Sequence, residues 1–275
     1  MKFSPIIYLI GMLLCILSLF MIVPAFVDWF FGSENWPAFV GSSIATLFVG
    51  LVLFFSNKGS ATEHLELRQA FLLTNGAWIS IALFGSLPFL LSDIEMSFID
   101  AFFESTSGIT TTGATVIENL EAKSHGILIW RALLQWLGGV GIIVMALAVL
   151  PMLSIGGMQL FKTESYETPD KVVPKAASFA AGISIVYITL TVIWALMLWG
   201  AGMPIFDSIA HAMTTLATGG YSTKSESLAA FDSSTIEIII IFGMLVGSLP
   251  FVHYLTLSKN GVKNLIKDDQ VKLFL

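Results

Sequence analysis

Six long apolar runs, at about 5–27, 38–55, 70–92, 127–155, 176–201 and 235–257, limit what this chain can become. Each reaches or approaches the roughly 20 residues a helix needs to cross the hydrocarbon of a bilayer. Inside lipid every backbone N–H and C=O needs a partner within the protein, so runs of this length fold as helices. The rest of the composition agrees. Charged residues make up 12% of the 275, about half the share of a soluble domain, and the mean hydropathy is +0.85. The expected fold class is an all-α membrane protein. Lys2 and the run after it resemble a signal peptide, but 5–27 is too long for a signal core and no small-x-small site follows, so a retained first span is expected. Cys15, the single cysteine, lies within that run and is read as a small apolar residue.

Two further segments, about 97–123 and 204–232, are neither full spans nor ordinary loops. Each opens with ten to fourteen apolar-rich residues and ends in a Thr/Gly motif, which fits a re-entrant segment better than a crossing. Placed side by side, "FIDAFFESTSGITTTGAT" (98–115) and "IFDSIAHAMTTLATGGYS" (205–222) align without a gap at an offset of 107 residues. Asp100 then meets Asp207, Thr111 meets Thr218 and Gly113 meets Gly220. Each segment is flanked by a span on either side, so the chain holds two copies of a span–re-entrant loop–span unit behind two leading spans.

The chemistry of such a unit points to cations. Asp100 and Asp207 are placed as N-caps of short helices dipping in from one face. The partially negative C-terminal end of each helix then faces the membrane interior. Beyond it, Gly113 and Gly220 supply the backbone freedom to turn carbonyls toward a common axis. Carbonyl rings of this kind replace the hydration shell of potassium in the TVGYG loops of potassium channels.

Orientation follows from the basic residues. With the N-terminus in the cytoplasm, six alternating spans leave 10 of the 13 Lys and Arg residues inside, with only Lys123, Arg131 and Lys224 outside. The same arrangement puts 12 of the 19 acids outside. That is either a vestibule that gathers cations or simple avoidance of the inner side by acids.

These residues resemble the Trk/Ktr potassium-uptake family, specifically its TrkH-type membrane subunit. The resemblance rests on "DAFFESTSGITTTGATV", "RALLQWLGGVGIIVMALAVLP" (131–151), "SIGGMQLF" (154–161) and "FDSIAHAMTTLATGGYST" (206–223), and extends over the whole chain. It implies potassium conduction through a filter of backbone carbonyls, here from Thr111, Thr112 and Gly113 and from Thr218, Gly219 and Gly220. It also implies two leading helices with a cytoplasmic loop (1–69), a first repeat (70–161), a cytoplasmic linker (162–175), a second repeat (176–258) and a cytoplasmic tail (259–275). The family pore uses four loops, and this chain carries two. It is therefore expected to be a fragment, a truncated reading frame, or a half that pairs with a second copy or with the missing repeats. A cytoplasmic nucleotide-binding regulatory subunit of the TrkA type and a bacterial inner-membrane location are implied as well, with lipid as surroundings and no nucleic-acid partner.

Arg131 either braces the first short helix through Glu104 or snorkels to the outer headgroups. His211, aligned with Glu104, either tunes local electrostatics or is a buried histidine with one hydrogen bond. The glycines at 138–141 and 156–157 suit close helix packing or a bend. Trp29, Trp36, Trp130 and Trp199 are expected in an interfacial belt. His64, His125 and His253 show no metal-ligand spacing. The tail "SKNGVKNLIKDDQVKLFL" reads as an inner-surface helix or a frayed end. Potassium-versus-sodium selectivity stays open, because it depends on all four loops. Two other functions fit the residues less well. A secondary transporter coupling K+ or Na+ to H+ lacks a mid-span carboxylate, and an enzyme lacks any catalytic cluster, so no organic cofactor is expected.

Overall fold

The computed structural model describes residues 2–60, 67–153, 172–251, 254–255 and 269–274. It is helical, with no β-strand among the described residues. Helices α1 (Ser4–Phe20) and α2 (Ile22–Phe30) form one interrupted span. The break at Met21 has its cause in Pro24, which cannot donate to the carbonyl of Phe20. Helix α3 (Trp36–Ser56) returns alongside α1. Their backbones meet at Gly11 and Gly50, where a side chain on either would crowd the other's carbonyl.

Two similar units follow. The first consists of α4 (Leu67–Gly85), α5 (Leu87–Leu91), the short α6 (Phe98–Ile109) and α7 (His125–Leu153). The second consists of α8 (Val172–Gly200), the short α9 (Ile205–Leu216) and α10 (Ser234–Ser248), and a last helix, α11, spans Asp269–Phe274. Among the described residues, four helical stretches are long and apolar enough to cross a membrane: Ser4–Phe30, Trp36–Ser56, Arg68–Leu91 and Ala180–Gly200.

Several boundaries differ from expectation. The run expected at 235–257 forms a helix only to Ser248, because Leu249 precedes Pro250 and is extended, with ψ 146°. Helix α8 starts at Val172, inside the expected linker. The "SIGGMQLF" stretch, the glycines at 156–157, linker residues 162–171, His64, His253 and the tail apart from α11 lie outside the described residues. So do Lys162, Lys171, Lys259, Lys263 and Lys267 of the expected inner face.

Two apolar cores result. One joins the leading helices to the first unit through Leu14, Met21, Phe39, Phe89, Trp130 and Leu134. The other lies within the second unit, around Ile183, Tyr187, Trp194, Leu198 and Ile240. Trp136 packs against both, and its indole N–H donates to Thr191 (3.0 Å). Trp130 is not part of an interfacial belt: it is fully buried and donates to the Gly85 carbonyl at 3.0 Å. Trp29, Trp36 and Trp199 do lie exposed. Cys15 is half-buried against Gly50.

The leading helices also hold the first unit by a charge. Asp28, fully buried on α2, accepts from the Gly126 N–H (2.5 Å) and the Ser124 hydroxyl (3.0 Å). It therefore adds a cap to α7 from another element, beside the local one made by Ser124, whose hydroxyl accepts from the Ile127 N–H at 3.3 Å.

Candidate functional site

The two short helices α6 and α9 deliver the Thr/Gly motifs, and their exits match residue for residue. The Thr112 N–H donates to the Ser107 carbonyl and the Gly219 N–H to Thr214, both at 2.9 Å. One position earlier, Thr111 donates to Gly108 and Thr218 to Thr215, both at 3.0 Å. Thr111 and Thr218 have φ of 56° and 55°, and Gly113 and Gly220 have φ of 82° and 79°. Glycine adopts the left-handed region readily, but a β-branched threonine there is a strained outlier. The sequence pointed to the glycines for backbone freedom and aligned Thr111 with Thr218, but it did not display the strain at the threonines.

The aspartates sit one helical turn inside the places expected for them. The N-cap of α6 is Ser97, whose hydroxyl accepts from the Asp100 N–H (3.2 Å) while itself donating to the Asp100 carboxylate (2.7 Å). This makes the first half of a capping box; the Asp100 carboxylate then accepts from the Ser97 hydroxyl where a full box would take the backbone N–H. The N-cap of α9 is Pro204, and Asp207 in its first turn accepts from the Thr223 hydroxyl at 2.6 Å. Asp207 thus ties the start of the helix to the segment that leaves the motif.

Glu104 and His211 do matching work in the two units. Glu104, fully buried, accepts from the Thr115 hydroxyl (2.9 Å) and the Val116 N–H (3.0 Å). His211 bonds Ser222, the counterpart of Thr115, through Nε2 at 3.0 Å. Its other nitrogen, Nδ1, lies 2.8 Å from the Asp207 carbonyl, so it has two partners where one was expected. Each side chain pins the extended segment just past the motif.

Arg131 is 1% exposed and does not snorkel. Its Nε donates to Glu104 at 2.8 Å and its Nη1 to the Ser222 carbonyl at 2.9 Å. Its guanidinium also lies 4.1 Å from the ring centre of Tyr221. One residue thus joins the first short helix to the second motif, in a setting where an unpaired charge would be costly. Tyr221 adds two bonds across the same boundary, donating from its hydroxyl to the carbonyls of Glu104 (3.1 Å) and Ala114 (3.0 Å).

Helix α7 comes close enough for this because of two adjacent glycines. A side chain on Gly138 would run into the Ile109 carbonyl at the end of α6. One on Gly139 would crowd Ala217, just past the end of α9, at 3.1 Å. The motifs themselves are as tight: a side chain on Gly113 would meet the Gly219 carbonyl. The structure therefore brings Thr111, Thr112, Gly113, Thr218, Gly219, Gly220, Glu104 and Arg131 into one contiguous site. Gln135, Tyr221, Thr115 and Ser222 belong to it too, and the sequence had not singled them out. A polar Gln135 one turn after Arg131 in an apolar span was the available clue.

Comparison with known proteins gives a consistent result. A family profile described as TrkH, cation transport protein, matches residues 36–274. The Trk system potassium uptake protein TrkH of Salmonella typhimurium is 38% identical over 279 residues, covering 100% of this chain and 58% of that protein. Its namesake from Vibrio parahaemolyticus is 39% identical over 281 residues, again over 58% of its length. The crystal structure of the potassium transporter TrkH from Vibrio parahaemolyticus matches with a TM-score of 0.89 at 37% identity, over 100% of this chain and 56% of the other. The chain spans a little over half the length of these relatives.

Proposed function

This chain belongs to the TrkH family of cation transport proteins, and from that premise we propose that it forms half of a pore that takes up potassium across a bacterial inner membrane. The carrying observation is the motif backbone, held twice in the same strained form at an offset of 107 residues, with Thr111 and Thr218 at positive φ. Strain kept at two equivalent positions marks functional backbone. The carbonyls of Thr111, Thr112 and Gly113 and of Thr218, Gly219 and Gly220 replace part of the hydration shell of K+. The C-terminal ends of α6 and α9 add partial negative charge behind them. Asp100, Asp207, Glu104 and Arg131 support this backbone and do not touch the ion. Potassium is the cargo because the relatives are named for its uptake.

A conduction pathway, without coupled proton movement and without catalysis, is favoured by how the buried acids are used. Among the described residues the buried acids Asp28, Glu104 and Asp207 are each committed to hydrogen bonds, so none of the three stands open as a mid-membrane carrier site. The N-terminus faces the cytoplasm by the distribution of basic residues. Two loops do not complete a ring, so the pore is closed by a second copy of the chain or by further repeats. A cytoplasmic nucleotide-binding subunit regulates it.

The test is rubidium uptake and growth on low potassium in a bacterium without its own uptake systems. The full chain is assayed alone and joined to the C-terminal remainder of the Vibrio parahaemolyticus transporter. Gly113→Ser and Gly220→Ser are each expected to cut uptake at least tenfold or to make it sodium-tolerant. Uptake by the chain alone identifies two-copy assembly, and uptake only when joined identifies completion by further repeats. No uptake in either form, with the protein confirmed in the membrane, defeats the proposal.

A further inference from the structure

Gln135 lies on α7 one turn beyond Arg131 and is fully buried. Its Oε1 accepts from the Tyr221 N–H at 3.0 Å. Because that partner is a donor, the oxygen must face it, and this fixes the amide with Nε2 on the opposite side. Nε2 has no hydrogen-bond partner among the described residues. The amide plane lies directly behind Gly219, where a side chain would strike Gln135 Cδ and Oε1. The carbonyl of the same peptide is presented to Gly113, and the Gln135 amide reaches there too: a side chain on Gly113 would lie 3.8 Å from Nε2. The Gln135 amide therefore packs against Gly219 and borders Gly113 where the two motifs meet.

We propose that Gln135 is a specificity-determining positioning residue, an amide wedge that sets how far the Gly219 carbonyl stands from the first motif. The inference rests on the potassium-pore reading above and adds a residue to it. A fully buried amide whose NH2 group has no partner is costly, at roughly 1–3 kcal/mol for the unmet group. An apolar side chain would fill the same space without that cost. What the glutamine gains is a fixed orientation: one acceptor, one donor N–H on the second motif, and a flat face against a glycine that admits nothing larger. Helix α10 supplies the contrast. Gly247 meets the Leu216 carbonyl much as Gly138 meets that of Ile109, so α10 follows α7 at an offset of 109. Met244 then takes the place of Gln135 and is exposed. The wedge is thus particular to the boundary between the first and second motifs.

The experiment uses the form of the full chain that carries rubidium and measures the ratio of sodium to potassium concentrations that half-inhibit rubidium uptake. Gln135→Met removes both polar ends at similar length. Gln135→Asn keeps the amide but draws it back by one methylene, and so carries the test should the apolar variant not reach the membrane. Gln135→Glu retains an acceptor for Tyr221. Met and Asn are expected to lower the ratio about fivefold to tenfold, the effect of losing roughly one hydrogen bond, while Glu stays within about twofold of the unsubstituted chain. A merely structural role would lower the amount of active protein and leave the ratio unmoved. Unchanged discrimination in membrane-inserted Gln135→Met or Gln135→Asn overturns the inference and leaves the pore reading intact. An unsubstituted chain that carries rubidium without preferring potassium to sodium overturns the selective-filter reading, and this inference with it.

Discussion

The two units solve one problem with different residues. Glu104 and His211 each hold the segment past a motif, but Glu104 brings a charge into the interior and His211 need not. At the offset of 109 that relates α10 to α7, the place of Arg131 is taken by Ile240, which is buried. The charged pair Glu104–Arg131 therefore corresponds to the pair His211–Ile240. Removing one member of a buried ion pair costs about 3–5 kcal/mol, because the other is left uncompensated. Glu104→His and Arg131→Ile are each expected to reduce the unfolding free energy of the purified protein by an amount of that order, with a matching fall in melting temperature. The combined Glu104→His, Arg131→Ile chain, which copies the second unit, should melt closer to the unsubstituted protein than the two losses added together. A double-mutant cycle measures the difference. Nearer the surface, Glu121 accepts from the N–H and the hydroxyl of Ser225 at 2.8 and 2.7 Å, and these bonds hold its carboxyl below the usual range. The link is complete above the ordinary carboxylate pKa and is lost as pH falls through the depressed one. Hydrogen exchange at the Ser225 amide should therefore speed up, relative to the intrinsic rate, only in acid below that range.

At the scale of helices, close approach decides the architecture. Gly138 and Gly247 each admit the last carbonyl of a short helix, Ile109 in one unit and Leu216 in the other. Alanine at either should separate the two helices and cost about 1–3 kcal/mol as an overpacking change. Thermal melting of Gly138→Ala and Gly247→Ala, read against a lipid-facing Ile241→Ala control, checks this. Much at this scale was legible in the sequence. Hydrophobic length placed the helices, and the offset of 107 placed two matching motifs, because both signals are local. "SFID" also holds the α6 cap in plain view, since Ser97 stands three residues before Asp100. Reading Asp100 as the cap favoured a residue type over its spacing. Pro250, in the same way, marked the end of α10. What the sequence could not display were bonds across long separations, such as Asp28 to Gly126 or Gln135 to Tyr221, 98 and 86 residues apart. Nothing local in either partner specifies the other.

At the largest scale, the described residues form two leading helices locked to a first unit, with a second unit joined to it through the motifs and Trp136. Chain order gives the Arg131 contact a further consequence. Arg131 and the Ser222 carbonyl it holds are 91 residues apart. At about 5–20 residues per second, a ribosome needs roughly 5–18 s to make that stretch. For that interval Arg131 has Glu104 alone, and Gln135 has yet to meet Tyr221. The first motif therefore waits, half supported, until the second emerges. A nascent chain halted between them carries an arginine that has yet to meet the Ser222 carbonyl, so the contact between the two motifs is completed late in synthesis.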